Sequence, residues 1–296
     1  MYSLFNRILI AADLSTMDQT LFEFTKTLLQ KSSASKLYIL HVIPNFLNPS
    51  NPDLNFHQLF AKNYPVDEKA NDLLKEKAEA YFDKNNIEIE INVVEGKPYE
   101  KLLNWIELKE IDLVVVGKKK QTEGSGITAK RMVRKTKASV LFVPESANSN
   151  FQSVLVPVDY SVQSAKALRA GLGLKEHSPN DLKVKALYVS SIPPVDSYYG
   201  MSLSQSHVDK LLGNSRDYFG QFIQNEKLDE SLFAKEVIAS KFSNVGRDIQ
   251  MFAKKEGSDL IVIGAKGHSP FDRFVYGSVT EQLVDLLMET PTLVMR

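Results

Sequence analysis

The sequence predicts an α/β protein made of two tandem domains, each a five-stranded parallel sheet with helices between the strands. Three observations carry that prediction. The chain has 296 residues, which fits two domains at about 150 residues each. Four sequence landmarks occur twice, in the same order and at nearly constant offset, so the chain is a fused duplication. Short, wholly apolar runs alternate with stretches of helical periodicity, the pattern of parallel strands covered on both faces.

The first landmark is Arg7-Ile8-Leu9-Ile10-Ala11-Ala12-Asp13-Leu14-Ser15, which matches Ser153-Val154-Leu155-Val156-Pro157-Val158-Asp159-Tyr160-Ser161, with Asp13 and Asp159 146 positions apart. Leu40-His41-Val42 matches Leu187-Tyr188-Val189 as the second strand. Ile111-Asp112-Leu113-Val114-Val115-Val116-Gly117 matches Ser258-Asp259-Leu260-Ile261-Val262-Ile263-Gly264 at an offset of 147. Val140–Val143 and Leu293–Met295 are the last strands. The domains are therefore expected at 1–147 and 151–296, joined by the polar stretch Glu145–Asn150. Between strands, Leu211, Leu212, Tyr218, Phe219, Phe222 and Ile223 recur at helical spacing. Ser161 is placed to cap the helix carrying Ala165, Leu168 and Leu172, and Gly257 to end the helix before Asp259. Each copy has a longer insert after its second strand, at 44–65 and 191–206, suited to gating a site or to joining two molecules.

Composition removes several functions. Lys+Arg and Asp+Glu are 36 each, so nothing draws the whole molecule to nucleic acid or to an anionic membrane. With no cysteine, disulfides, thiolate metal sites and cysteine nucleophiles are excluded. No apolar stretch approaches the ~18 residues that span a bilayer, and Met1–Arg7 leads directly into a strand. A cytoplasmic protein is expected. The five histidines have no paired metal-ligand spacing, and no nucleophile–base pair is visible, so at most slow hydrolysis is expected, with His268 and Arg273 as its nearest candidates.

The sharpest local signal follows the fourth strand of the second copy. Gly264, Gly267, Gly277 and Ser278 form a Gly-x2-Gly-x9-Gly-Ser pattern that starts at a strand end and finishes at a helix start. Glycines let backbone N–H groups approach a ligand closely, and a helix beginning at Ser278 aims unpaired amides and a positive dipole end at an anion. With Lys266 nearby, this is a cradle for a triphosphate. Dinucleotide and Walker-type folds place their glycines after the first strand, where this chain has Val158-Asp159-Tyr160-Ser161. Asp159 would share the crevice with the glycine loop, taking a ribose hydroxyl or a metal on the phosphates, or else capping the next helix.

These motifs together resemble the universal stress protein (UspA) family, and two copies in one chain resemble its tandem, UspE-like members. The resemblance covers essentially the whole chain. It implies a Rossmann-like fold of strand order 3-2-1-4-5, of the adenine nucleotide alpha hydrolase-like group, that binds ATP, with magnesium as an optional companion. It also implies dimer-like pairing of the two copies through their last strands, and a homodimer as a further option. Carried over by position, Pro157, Val158 and Asp159 line the adenosine side and Val189 meets adenine through its backbone. Gly264, Lys266, Gly267, Gly277, Ser278 and Val279 hold ribose and phosphates. Lys266 departs from the arginine or small polar residue usual there.

The first copy breaks the pattern. Lys120 stands where the second glycine belongs, Gly117 to Gly126 spans nine positions against thirteen from Gly264 to Gly277, and Ile127 replaces the serine. ATP is therefore expected in the C-terminal domain and not in the N-terminal one. A cluster of Lys118, Lys119, Lys120, Lys130, Arg131, Arg134, Lys135 and Lys137 reads as a solvated basic face or as an anion or partner surface. The expected role is a nucleotide-dependent stress-response regulatory module. An ATP-hydrolysing enzyme of the same fold group and a nucleotide-free scaffold are the alternatives.

Overall fold

A computed structural model of the chain describes residues 4–43, 66–83, 87–119, 134–178, 182–191, 204–240, 244–266, 277–286 and 289–296. Two compact units are present, one of Phe5–Glu145 and one built on Ser146–Arg296. In the first, the order is β1 (Arg7–Ala12), α1 (Met17–Gln30), β2 (Lys36–Ile43), α2 (Val66–Glu79), β3 (Glu88–Glu95), α3 (Pro98–Leu108), β4 (Leu113–Lys118) and β5 (Ser139–Pro144). The second runs β6 (Ser153–Pro157), α4 (Val162–Glu176), β7 (Lys183–Ser190), α5 (Gln205–Asn225), β8 (Ala234–Ala239), α6 (Val245–Glu256), β9 (Leu260–Gly264), α7 (Ser278–Leu286) and β10 (Thr292–Met295), with a 3-10 turn at Glu230–Leu232 before β8.

Within the first unit the strands lie β3-β2-β1-β4-β5, and within the second β8-β7-β6-β9-β10. Every pairing inside each unit is parallel. Both are the 3-2-1-4-5 order, which reverses direction between the first and fourth strands. A crevice is therefore expected beyond the carboxyl ends of β1 and β4, and of β6 and β9. The apolar runs that predicted buried strands are buried: Ile8, Leu9 and Ile10, Val154, Leu155 and Val156, and Leu260 and Val262 are fully excluded from solvent.

Local chemistry fixes the frame. Asp112 accepts the backbone N–H groups of Asn6 (2.8 Å) and Arg7 (3.1 Å), and Asp259 accepts those of Gln152 (2.9 Å) and Ser153 (3.0 Å). In both copies the aspartate before the fourth strand thus clamps the start of the first. Ser161 caps α4, its hydroxyl accepting the Ser164 N–H at 3.1 Å. Gly257 ends α6 in the left-handed region at φ 64°, where a side chain would be strained. Leu14 and Tyr160, at equivalent places after the first strand, also have positive φ (60° and 65°). That conformation is uncommon for bulky residues and belongs to the turn itself, since both copies share it. Among the described residues no helix is long and apolar enough to cross a membrane.

Candidate functional site

The C-terminal crevice holds a cavity of about 510 Å³, and nine of the ten expected ligand residues line it. Pro157, Val158 and Asp159 come from the end of β6 and Val189 from the end of β7. Gly264 and Lys266 leave β9, and Gly277, Ser278 and Val279 enter α7. The tenth, Gly267, lies outside the described residues, as do His268 and Arg273.

The backbone around α7 explains how the helix is held. Ala265 donates to Met295 O (2.8 Å) and Gly277 donates to Ala265 O (3.0 Å), closing the glycine loop at its base. Buried Thr280 donates its hydroxyl to Gly264 O at 2.9 Å. Glu281 N–H is the first to bond back into the helix, to Gly277 O at 3.0 Å. The amides of Ser278, Val279 and Thr280 therefore precede the first intrahelical donor, and all three residues line the cavity. A positive helix end faces this space. The Gly277 amide is committed to Ala265, so the anion-facing groups are those that follow it.

Gly264 has a packing role as well. A Cβ built there would lie 2.9 Å from both the carbonyl carbon and oxygen of Gln163, so the end of β9 abuts the backbone of α4 with no room for a side chain. Asp159 holds the cap residue of α4 and also stands in the cavity wall. One of its oxygens accepts the Ser161 N–H (3.1 Å) and hydroxyl (2.5 Å), while the residue lines the cavity. It therefore supports the cap, Ser161, rather than capping α4 itself.

Residues that sequence reasoning did not select also enter this wall: Tyr160, Ser164, Tyr188, Val245, Ile249 and Thr280. Tyr160 and Tyr188 stack with ring centroids 4.4 Å apart and planes 17° from parallel. The Tyr160 hydroxyl donates to Ser215 O at 2.8 Å. Burial raises the pKa of both phenols, for Tyr188 with a contribution from the charge of Asp159.

The N-terminal crevice is differently furnished. Its cavity is about 200 Å³. Lys119 reaches back to Asp13, the counterpart of Asp159, with Nζ to Oδ2 at 2.5 Å. Burial alone would raise the Asp13 pKa, but the hydrogen bonds from Lys119 and Ser15 outweigh it and hold it below its ordinary value. Asp18 stands where the other copy has Ser164. It is fully buried, accepts the Asp13 N–H at 3.0 Å, and lies 3.4 Å from Lys77 Nζ. Burial outweighs those partners and raises its pKa. Lys77 also donates to Ser15 O at 3.1 Å. Met17, counterpart of Gln163, packs against Gly117, where a Cβ would meet its Cγ at 2.6 Å. In this copy, then, the crevice carboxylate is already paired with a lysine of its own domain. Lys120, Gly126 and Ile127, on which the sequence difference rests, lie outside the described residues, as do Lys130 and Arg131 of the basic cluster. So do insert 44–65 and residues 192–203 of the other insert.

Among the described residues no group of three or more His, Asp or Glu side chains is arranged to hold a metal ion by itself, and Asp159 is the acidic side chain beside which a phosphate-bound magnesium would sit. An apolar floor, that acidic side chain and a helix N-terminus converge on one cavity, which suits an adenine nucleotide.

Comparison with known proteins places this geometry in context. The model of the Universal stress protein family matches residues 4–144 and again 150–296. The chain is similar to the universal stress protein YxiE of Bacillus subtilis, 28% identical over 149 residues that make up 49% of this chain and 99% of that protein. In three dimensions it is similar to a universal stress protein from Archaeoglobus fulgidus, with TM-score 0.65 and 17% identity, covering 98% of this chain and 96% of that one. It is also similar to a putative universal stress protein from Pseudomonas aeruginosa, with TM-score 0.63 and 12% identity over 98% and 93% of the two chains. At these identities the structural likenesses bear on the fold alone.

Proposed function

The chain belongs to the universal stress protein family, and from that premise we propose that its C-terminal domain binds one ATP and works as a nucleotide-dependent regulatory module in the stress response. The observation that carries this reading is the convergence in one cavity of about 510 Å³ of Asp159, Val189 and the first amides of α7. Val189 at the end of β7 supplies backbone polar groups for an adenine edge. Asp159 supplies an acceptor for ribose hydroxyls, and Ser278 and Val279 supply amides for phosphate oxygens. The N-terminal crevice does not bind ATP in this way. Its cavity, about 200 Å³, is below the roughly 300 Å³ at which ligand pockets usually begin, and the Asp13 carboxylate is bound to Lys119.

Native mass spectrometry of the purified protein, followed by calorimetric titration with ATP, tests this reading. One adenine nucleotide per chain is expected, and Gly277→Val should abolish it by placing a branched side chain at the mouth of the helix. Two equivalent sites, none, or an unchanged stoichiometry in Gly277→Val would overturn the assignment. ATP turnover well above background would make the protein an enzyme rather than a module that reads nucleotide occupancy.

A further inference from the structure

The duplicated chain supplies its own comparison, because the two copies differ at the base-side wall as well as in the glycine loop. The N-terminal copy has Leu14 after its first strand and His41 in its second, and His41 Nδ1 sits 3.0 Å from Ala12 O. The C-terminal copy has Tyr160 and Tyr188 at those places, and their rings stack at 4.4 Å. Tyr160 is fixed from behind. Its hydroxyl is bonded to Ser215 O, and its ring lies against Phe219 and Phe222 of α5 at centroid distances of 5.5 and 5.6 Å. These contacts brace Tyr160 from the α5 side, and Tyr188 rests on it. Tyr188 is only partly buried, it lines the cavity, and it directly precedes Val189 at the base end. An aromatic ring held rigid at a cavity wall presents apolar area with little conformational entropy left to lose.

We propose that Tyr188, with Tyr160 as its positioning residue, is the wall against which the nucleoside part of the ligand packs, and that this pair makes the site selective for nucleosides. The proposal rests on the nucleotide reading above. A sugar or base brought in by Asp159 and Val189 must pass beside this ring, whereas the phosphates lie at the other end, over α7. The wall therefore acts on adenosine and ATP alike.

The test is calorimetric titration of the full chain with adenosine and with ATP. Tyr188→Leu should weaken both by the same factor, roughly tenfold on the scale of aromatic–base contacts, and Tyr188→Phe should restore both to within about twofold. A second measurement uses the conservative variant. Nucleotide binding to the wild type should perturb the tyrosine absorption band on the long-wavelength side of adenine, and Tyr188→Phe should lose that signal while still binding. Unchanged affinities in Tyr188→Leu, a loss confined to ATP, or a difference band that survives in Tyr188→Phe would overturn the wall. A wild type that binds neither adenosine nor ATP would instead overturn the nucleotide reading on which the wall depends.

Discussion

Gly264→Ala and Gly117→Ala are the same substitution at equivalent places, yet the structure assigns them different costs. At Gly264 the new methyl would sit 2.9 Å from two backbone atoms of Gln163, in the first turn of α4. Ordinary contact begins near 3.4 Å, so the helix itself must retreat by about half an ångström, and α4 is packed on the sheet by fully buried Ala165, Leu168 and Leu174. Overpacking of this kind costs about 1–3 kcal/mol. Replacing a strand glycine returns about 0.5–1 kcal/mol, leaving a net loss of about 1–2 kcal/mol. At Gly117 the approach is nominally closer, 2.6 Å, but the atom met is Cγ of Met17, a side-chain atom that rotation about χ1 carries away beside a cavity without moving the backbone of α1. There the retreat is a rotamer change, and the two contributions roughly cancel. At about 3 °C per kcal/mol for a domain of this size, Gly264→Ala lowers the midpoint of the C-terminal unit by roughly 3–6 °C, and Gly117→Ala moves the N-terminal midpoint by about a degree. Each unit needs its own probe, because two-domain unfolding need not be one transition. Trp105, the sole tryptophan, sits in α3 against Tyr38 at 6.3 Å, so its fluorescence follows the N-terminal unit while hydrogen exchange of β9 follows the other. A Gly117→Ala shift equal to or larger than that of Gly264→Ala would refute the reasoning, because the distinction between backbone and side-chain obstruction would then carry no energy.

Other outcomes follow from the same geometry. Lys119→Ala should flatten the acid-side pH dependence of the Trp105 transition. Asp13 is held below its ordinary pKa, so its stabilisation is present above the unfolded pKa and is lost as pH falls through the folded one. With Asp13 about half exposed (49%), the effect should not exceed about 1 kcal/mol, and an unaltered acid profile would contradict it. Asp18 behaves oppositely. Its raised pKa means stability falls as pH rises from the unfolded value towards the folded one, so Asp18→Asn should remove that decline in urea titrations run across the range, and a steeper decline would be the contrary result. Asp112→Ala leaves the amides of Asn6 and Arg7 without their acceptor, at about 1–3 kcal/mol. A change under about 0.5 kcal/mol in the Trp105 midpoint would mean that water replaces the carboxylate freely.

The parts of this molecule that were legible in sequence are those governed by near neighbours. Ser161 caps α4 because a hydroxyl just before a helical run can reach an amide three residues on, and Gly257 ends α6 because a left-handed turn suits glycine. The strands were legible because burial on both faces demands unbroken apolar runs. The stack of Tyr160 on Tyr188 was not legible. It joins residues 28 positions apart and depends on Ser215, Phe219 and Phe222 in a helix still further along. The duplication held a signal that could have found it, since Leu14 and His41 occupy the matching places. The lysine that engages the N-terminal carboxylate was also hidden. Spacing drew attention to Lys120, but strand pleat and reach bring Lys119 to Asp13.

A glycine shared by both copies therefore says less about phosphate than its motif suggests. Gly117 and Gly264 each lie near the end of a fourth strand pressed against the start of the helix after the first strand, but only at Gly264 is the obstruction backbone, so the fold needs that glycine whether or not a ligand ever arrives. What separates the copies is what surrounds that shared contact. In one, Lys119 is bonded to the crevice carboxylate and Asp18 is buried beside it. In the other, Ser164 replaces the buried acid, and α7 opens its first amides toward a larger space. Features common to both copies meet the requirements of the sheet, even where one such as Asp159 also lines the cavity, and features confined to the C-terminal copy are the sharper candidates for ligand contact. By that criterion Gly264 and Asp259 are structural, whereas Ser278, Val279 and Tyr188 are the residues whose replacement should change binding more than stability.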